Sequence, residues 1–133
     1  MNKNKYQAKR WLTQAEADLR AAKANKDKFA FNSCFLSQQA GEKSLKAFLY
    51  FHGKRRIITH SNFGLINLCL KFNKNFLDLK SEAKLLDGFY LPSRYPDSLP
   101  DQIPSEFYEK EDAIKAIKAA EKILTKVKKN ITK

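Results

Sequence analysis

Residues 29–51, FAFNSCFLSQQAGEKSLKAFLYF, decide how this chain folds. No proline interrupts them, and Ala30, Cys34, Ser37, Gly41, Ser44, Leu45 and Phe48 recur at spacings of three or four, the period of a helix with one buried face. The spacing predicts a helix from about Phe29 to Phe51. Several residues on that face are small, which lets a second helix approach closely. Gly53 follows, and glycine suits the left-handed conformation that closes many helices.

Working outward, the preceding segment predicts a helix from Tyr6 to Lys26, with Trp11, Ala15, Leu19 and Ala22 on one face. The polar run Asn25-Lys26-Asp27-Lys28 breaks it. Beyond Gly53, Lys54 to Ile58 forms a basic connector, and Thr59 or Ser61 is placed to cap a third helix through Phe63, Ile66 and Leu70. A fourth helix is expected from near Asp78, carrying Ala83, Leu86 and Tyr90. Pro92 should end it, because a residue before proline is pushed out of helical geometry. All four prolines lie between Pro92 and Pro104, which predicts a non-helical loop there. The last helix should start near Tyr108 or Lys110 and bury Ala113, Ile117, Ala120, Leu124, Val127 and Ile131, with lysines opposite. Glu109, Glu111 and Asp112 near its start, with Lys128 and Lys129 near its end, suit the helix dipole.

These segments predict an all-α fold: an up-and-down antiparallel bundle of four to five helices with a proline-rich loop before the last helix. With 133 residues, the chain has the size of one domain, taken as residues 1–133.

Twenty-six Lys and Arg against fourteen acids give a net charge of +12, a field that concentrates anions around the protein. The same excess also fits a well-solvated lysine surface. No apolar run approaches the roughly 20 residues that span a bilayer. The basic start, Met1 to Lys5, leads into Arg10 and Trp11 rather than an apolar signal core, so a cytoplasmic protein with no membrane partner is expected. Cys34 and Cys69 fall on different helices without metal-type spacing and read as inert core thiols. With only His52 and His60 available, no phosphate-binding glycine loop and no nucleophile elbow, no metal, cofactor or catalytic set is assigned.

Three segments stand out from the bundle. In Ser37 to Ala47, Glu42 and Lys46 stand one helical turn apart with Lys43 beside them; alone this reads as an ordinary ion pair on a helix surface. Lys54-Arg55-Arg56-Ile57-Ile58-Thr59-His60 concentrates three cations and an imidazole. It reads either as a phosphate contact or as a solvated loop in which His60 caps or packs. In the proline loop, Arg94 offers a phosphate fork beside Tyr95, a ring on which a base can stack. A structural alternative pairs Arg94 with Asp97 to lock the turn.

In order, QQAGEKSLKAFL, a histidine opening the next helix, and YLPSRYPDSLPDQIP before a final amphipathic helix resemble the HEPN domain family (higher eukaryotes and prokaryotes nucleotide-binding). The RYPD segment is especially similar to the sacsin branch of that family. The resemblance runs from Trp11 to Val127. It implies a bundle of four long helices with a short extra one, two subunits pairing through the long helices, and nucleotide binding in a positive cavity near the dimer interface. Prokaryotic members often stand beside a minimal nucleotidyltransferase, which makes such a protein a candidate partner, as in a toxin-antitoxin pair. By this resemblance the chain is a non-catalytic module whose nucleotide or RNA phosphates meet Lys43 and Lys46 on the second helix and Arg94 and Tyr95 on the loop, with Asp97 orienting Arg94.

The family also holds metal-independent ribonucleases marked by an Arg followed four to six residues later by a His on a late helix. This sequence departs from that pattern, since no histidine follows His60. Arg55 and His60 meet the bare spacing, but between the second and third helices. That leaves ribonuclease activity as the least favoured of three readings.

Overall fold

The computed structural model describes residues 2–90 and 93–131. Six α-helices follow in order: α1 (Lys3–Asn25), α2 (Ala30–Phe51), α3 (Asn62–Cys69), α4 (Lys80–Asp87), α5 (Pro104–Phe107) and α6 (Lys110–Ile131). Two 3₁₀ turns, Lys74–Leu79 and Pro96–Ser98, complete the described elements, and there is no strand among the described residues.

Helix α1 begins three residues earlier than the apolar periodicity requires, because Asn2 caps it: its side-chain oxygen accepts from the amides of Asn4 (2.9 Å) and Lys5 (3.4 Å). Ala15, Leu19 and Ala22 are buried as their spacing dictates, but Trp11 is only partly covered. Ala8 and Leu12 take the core positions on its side. Helix α2 is the central element. It contacts α1, α3, α4, α5 and α6, and every residue of its expected core face is buried. Gly53 closes it with φ +84°, where any other residue would be strained. Gly41 is needed for closeness: a Cβ there would stand 2.7 Å from Leu86 Cδ1 and 2.9 Å from Asn62 Oδ1.

Helices α1 and α2 are antiparallel: the Ser33 hydroxyl donates to the Ala22 carbonyl (2.7 Å) near one end, and Trp11 packs against Tyr50 near the other. Ion pairs Glu16–Lys128 and Lys23–Glu121 set α6 antiparallel to α1, and Asp78–Lys126 with Glu82–Lys122 run the segment leading into α4 antiparallel to α6. The connector departs from the short links expected of an up-and-down bundle. It climbs back along α2, so α3 starts beside Gln38, whose carbonyl accepts from Asn62 Nδ2 (3.3 Å), and ends with Cys69 against Leu45, parallel to α2. Asp87 at the end of α4 then caps α3, accepting from the Ser61 hydroxyl (2.7 Å) and the amides of Asn62 (2.5 Å) and Phe63 (3.1 Å).

The expectation of a fully non-helical proline loop is corrected in two places. Pro96 opens a 3₁₀ turn and Pro104 opens α5. Both use proline at a first helical position, where its missing N–H has no helical partner anyway. The role given to Pro92 lies outside the described residues; α4 itself stops earlier, at Asp87. On α6 the buried positions include Ile123, while Leu124 is only partly covered. Cys34 and Cys69 are both buried free thiols. Burial, aided by the nearby Asp112 carboxylate, pushes the Cys34 thiol up to about 12, and burial also raises Cys69.

Candidate functional site

At 100° per residue, Phe35, Gln39, Glu42, Lys43, Lys46 and Tyr50 fall within an arc of about 100° on α2, opposite its core face. Phe35, Gln39, Lys43 and Tyr50 are partly exposed along this seam. The seam runs between α1 on one side and the connector and proline loop on the other, and it gathers most of the residues singled out in the sequence.

In the middle of the seam lies a buried charge cluster. Lys46 Nζ donates to Glu42 Oε2 at 2.9 Å, with side chains 6% and 5% exposed, so the pair read as an ordinary surface contact is an interior one. The reason is that α1 brings Trp11 over Lys46 on one side, while the connector folds back along α2 and brings His60 against Glu42 on the other. His60 Nδ1 meets the same Oε2 at 3.1 Å, and Gln38 donates to Oε1 at 3.2 Å. A carboxylate only accepts, so Nδ1 carries a proton and donates, while the side chain as a whole is 56% exposed. Lys46 Nζ also stands 5.6 Å from the centre of the Trp11 ring, a cation–π contact that ties the cluster to α1.

Lys43 points to the α1 side. It pairs with Asp18 Oδ2 at 2.6 Å, and Gln14 donates to the other oxygen of that carboxylate at 2.9 Å. Lys43 remains partly accessible, at 23% of its side chain, whereas Lys46 does not reach the surface.

At the far end of the seam, Arg94 is set among rings. Its guanidinium carbon lies 4.7 Å from the centre of Phe35, 4.9 Å from Tyr95 and 5.6 Å from Tyr90, and Nη2 donates to the Tyr95 hydroxyl at 2.7 Å. The expected Arg94–Asp97 ion pair does not form among the described residues. Asp97 sits within the 3₁₀ turn, and the rings orient the arginine instead. Tyr90 also stacks on His60, with centroids 5.2 Å apart and planes 13° from parallel. Arg94 and His60 therefore meet around one tyrosine although they lie far apart in sequence. Ser93 anchors the loop by donating to the Phe89 carbonyl.

Arg55 belongs elsewhere. Its guanidinium donates to Asn4 Oδ1 (2.6 Å) and to the Lys54 carbonyl (2.9 Å), tying the connector to the start of α1. The structure thus brings His60, Arg94 and Tyr95 together, places Lys43 and Lys46 farther along the same seam, and sends Arg55 away from His60. Phe35 and Tyr90 are site residues that the sequence reading missed. Phe35 was recoverable, since Phe35, Gln39, Glu42 and Lys46 repeat at helical spacing opposite the core. Tyr90 was visible only as an apolar position of the fourth helix. Among the described residues no group of His, Cys, Asp and Glu converges as a metal would need, and no helix is long and apolar enough to cross a membrane.

Comparison with known proteins agrees with this architecture. A protein of Methanocaldococcus jannaschii named "Putative toxin MJ1304" is 32% identical over 130 residues, spanning 91% of this chain and 86% of that one. The crystal structure of TT1696 from Thermus thermophilus superposes with a TM-score of 0.86 at 33% identity, covering 92% of this chain and 97% of the other. ST0689, described as an archaeal HEPN homologue, superposes with a TM-score of 0.78 at 37% identity, covering 95% and 98%. The HEPN domain pattern itself matches residues 8–130. With a match that spans nearly the whole described bundle, and with relatives alike in sequence and in fold, this chain belongs to the HEPN domain family.

Proposed function

We propose that this HEPN chain is a non-catalytic module that binds the phosphates of a nucleotide or RNA in the cytoplasm, working as a homodimer. The observation that carries the reading is Arg94, an exposed guanidinium held among Phe35, Tyr90 and Tyr95 next to the outward edge of His60. A preoriented guanidinium loses little freedom when it grips a phosphate, and Tyr95, 46% exposed, offers a ring face for a base. Lys43 and the overall charge of +12 add attraction along the seam. Lys46 contributes from within, by fixing Glu42 and through it His60. Asp97, nearby on the loop, adjusts the local field rather than holding Arg94.

Arg94→Ala tests this. Nucleotide affinity should drop about tenfold while helicity stays unchanged, a size consistent with losing one charge-assisted phosphate contact. Unchanged affinity in the folded variant would refute it. Sedimentation of the unliganded protein tests the dimer.

The toxin name carried by the archaeal relative favours a second reading. In it the chain is the subunit that a minimal nucleotidyltransferase binds and restrains, with little affinity for free nucleotide. Co-purification with such a protein, together with no calorimetric response to nucleotide, would select it. Less supports the ribonuclease reading, since Arg55 donates to Asn4 at the start of α1 while His60 meets Glu42 on α2. Equal residual RNA cleavage by the parent and by His60→Ala would remove His60 from it altogether.

A further inference from the structure

The seam does not end at Lys46. Past it, a groove of about 770 Å³ opens along the outer side of α1, lined among others by Tyr6, Lys9, Arg10, Trp11, Gln14 and Lys43. The lining carries three cations and no carboxylate. Lys43 is matched by Asp18; among the described residues Lys9 and Arg10 meet no carboxylate, and Arg10 is held by the neutral Gln7 side chain (3.0 Å) and the Tyr6 ring (5.9 Å to its centre). Tyr6 is 55% exposed. Rings and cations alternate here as they do around Arg94.

The two ends are far apart. Phe35 and Lys46 are eleven positions apart on α2, or about 17 Å at about 1.5 Å per residue. Trp11 is level with Lys46 and Tyr50, and α1 is antiparallel to α2, so Tyr6 lies about 7 Å farther still from Arg94. A mononucleotide, whose phosphates all hang from one sugar, cannot reach across about 24 Å. A single strand can, because it repeats a phosphate and a base at about 3.4 Å when stacked and at longer intervals when extended.

Resting on the phosphate-binding reading, we infer that the α1 groove is a second anchor for the same ligand, and that this ligand is a single-stranded oligonucleotide laid along the α2 seam from Tyr95 to Tyr6. Arg94 at one end and Arg10 and Lys9 at the other face phosphates, Lys43 lies between them still bound to Asp18, Tyr95 and Tyr6 stack bases at the two ends, and Gln39 offers a neutral polar contact along the way. Charge favours this occupant over a second copy of the chain docked by the same face, which would bring the same cations against one another.

Single-stranded RNAs of about four, eight and twelve nucleotides, and ATP, titrated by fluorescence anisotropy and calorimetry, test the inference. Affinity should rise at least about tenfold from the shortest RNA to the longest, as the second anchor engages intramolecularly. Tyr6→Ala/Arg10→Ala, checked for parental helicity, should weaken the longest RNA about tenfold and leave ATP within about twofold. ATP binding without length dependence, or a double variant that holds the longest RNA as tightly as the parent, overturns the inference and leaves the Arg94 reading standing. A double variant that turns a dimer into a monomer without weakening RNA assigns the groove to self-association instead. Binding of neither ATP nor RNA removes both readings.

Discussion

Lys46 and Glu42, one turn apart on α2, form an ion pair of 2.9 Å that is almost wholly removed from solvent and is shared with His60. Two charges in a low-dielectric interior are held only while each keeps its partner, and removing one leaves the other uncompensated. Lys46→Ala is therefore expected to destabilise the fold by about 3 kcal/mol, read from the urea midpoint at constant slope. A loss below about 1 kcal/mol, the range of exposed pairs, would mean that the cluster is solvated.

Close packing at Gly41 gives a second expectation. A methyl group there meets Leu86 Cδ1 at 2.7 Å and the buried Asn62 side chain at 2.9 Å, and Asn62 Oδ1 has no hydrogen-bond partner among the described residues. Helix propensity alone would make Gly41→Ala stabilising by about 1 kcal/mol. Overpacking reverses the sign, and a net loss of about 1–3 kcal/mol is expected by denaturant unfolding. A gain in stability would contradict the close approach of α2 to α3 and α4.

His52 gives the pH dependence. It stacks on Phe72 (4.6 Å, 13°) and packs edge-on to Phe48, and burial lowers its pKa below the ordinary value. The unfolded chain then takes up a proton near pH 6.5 that the folded chain resists. The stability contributed by neutral His52 is full above about 6.5 and is lost as pH falls through the depressed folded value. Comparing thermal unfolding of the parent and His52→Phe between about pH 7.5 and pH 5 should show a steeper acid loss in the parent. Parallel curves would deny His52 that role.

Much of the fold was legible because the long helices are written in strict periods: the core faces of α2 and α6 can be read from Ala30 to Phe48 and from Ala113 to Ile131, with single-position shifts such as Leu124 to Ile123. Two things were not. The path of the connector depends on tertiary contacts, the Asp87 cap and the Asn62–Gln38 bond, which leave no local pattern. That path brings His60 against Glu42 and, with Trp11 of α1, closes off the Glu42–Lys46 pair. The candidate site was legible at Arg94, Tyr95, His60 and Lys43 as residue types, but their grouping was not. Of the rings around Arg94, Tyr95 adjoins it in sequence, but Phe35 comes from α2 and Tyr90 from the turn after α4, so no spacing in the sequence joins Phe35 to Tyr90.

Calorimetric titration of the purified protein with ATP, GTP and a short RNA at two salt concentrations tests the phosphate-binding account most directly. The account predicts saturable binding that weakens as salt rises, because each neutralised phosphate releases counterions. No binding to any of the three would contradict it, leaving the basic surface as a solvated face and a protein partner as the ligand to seek.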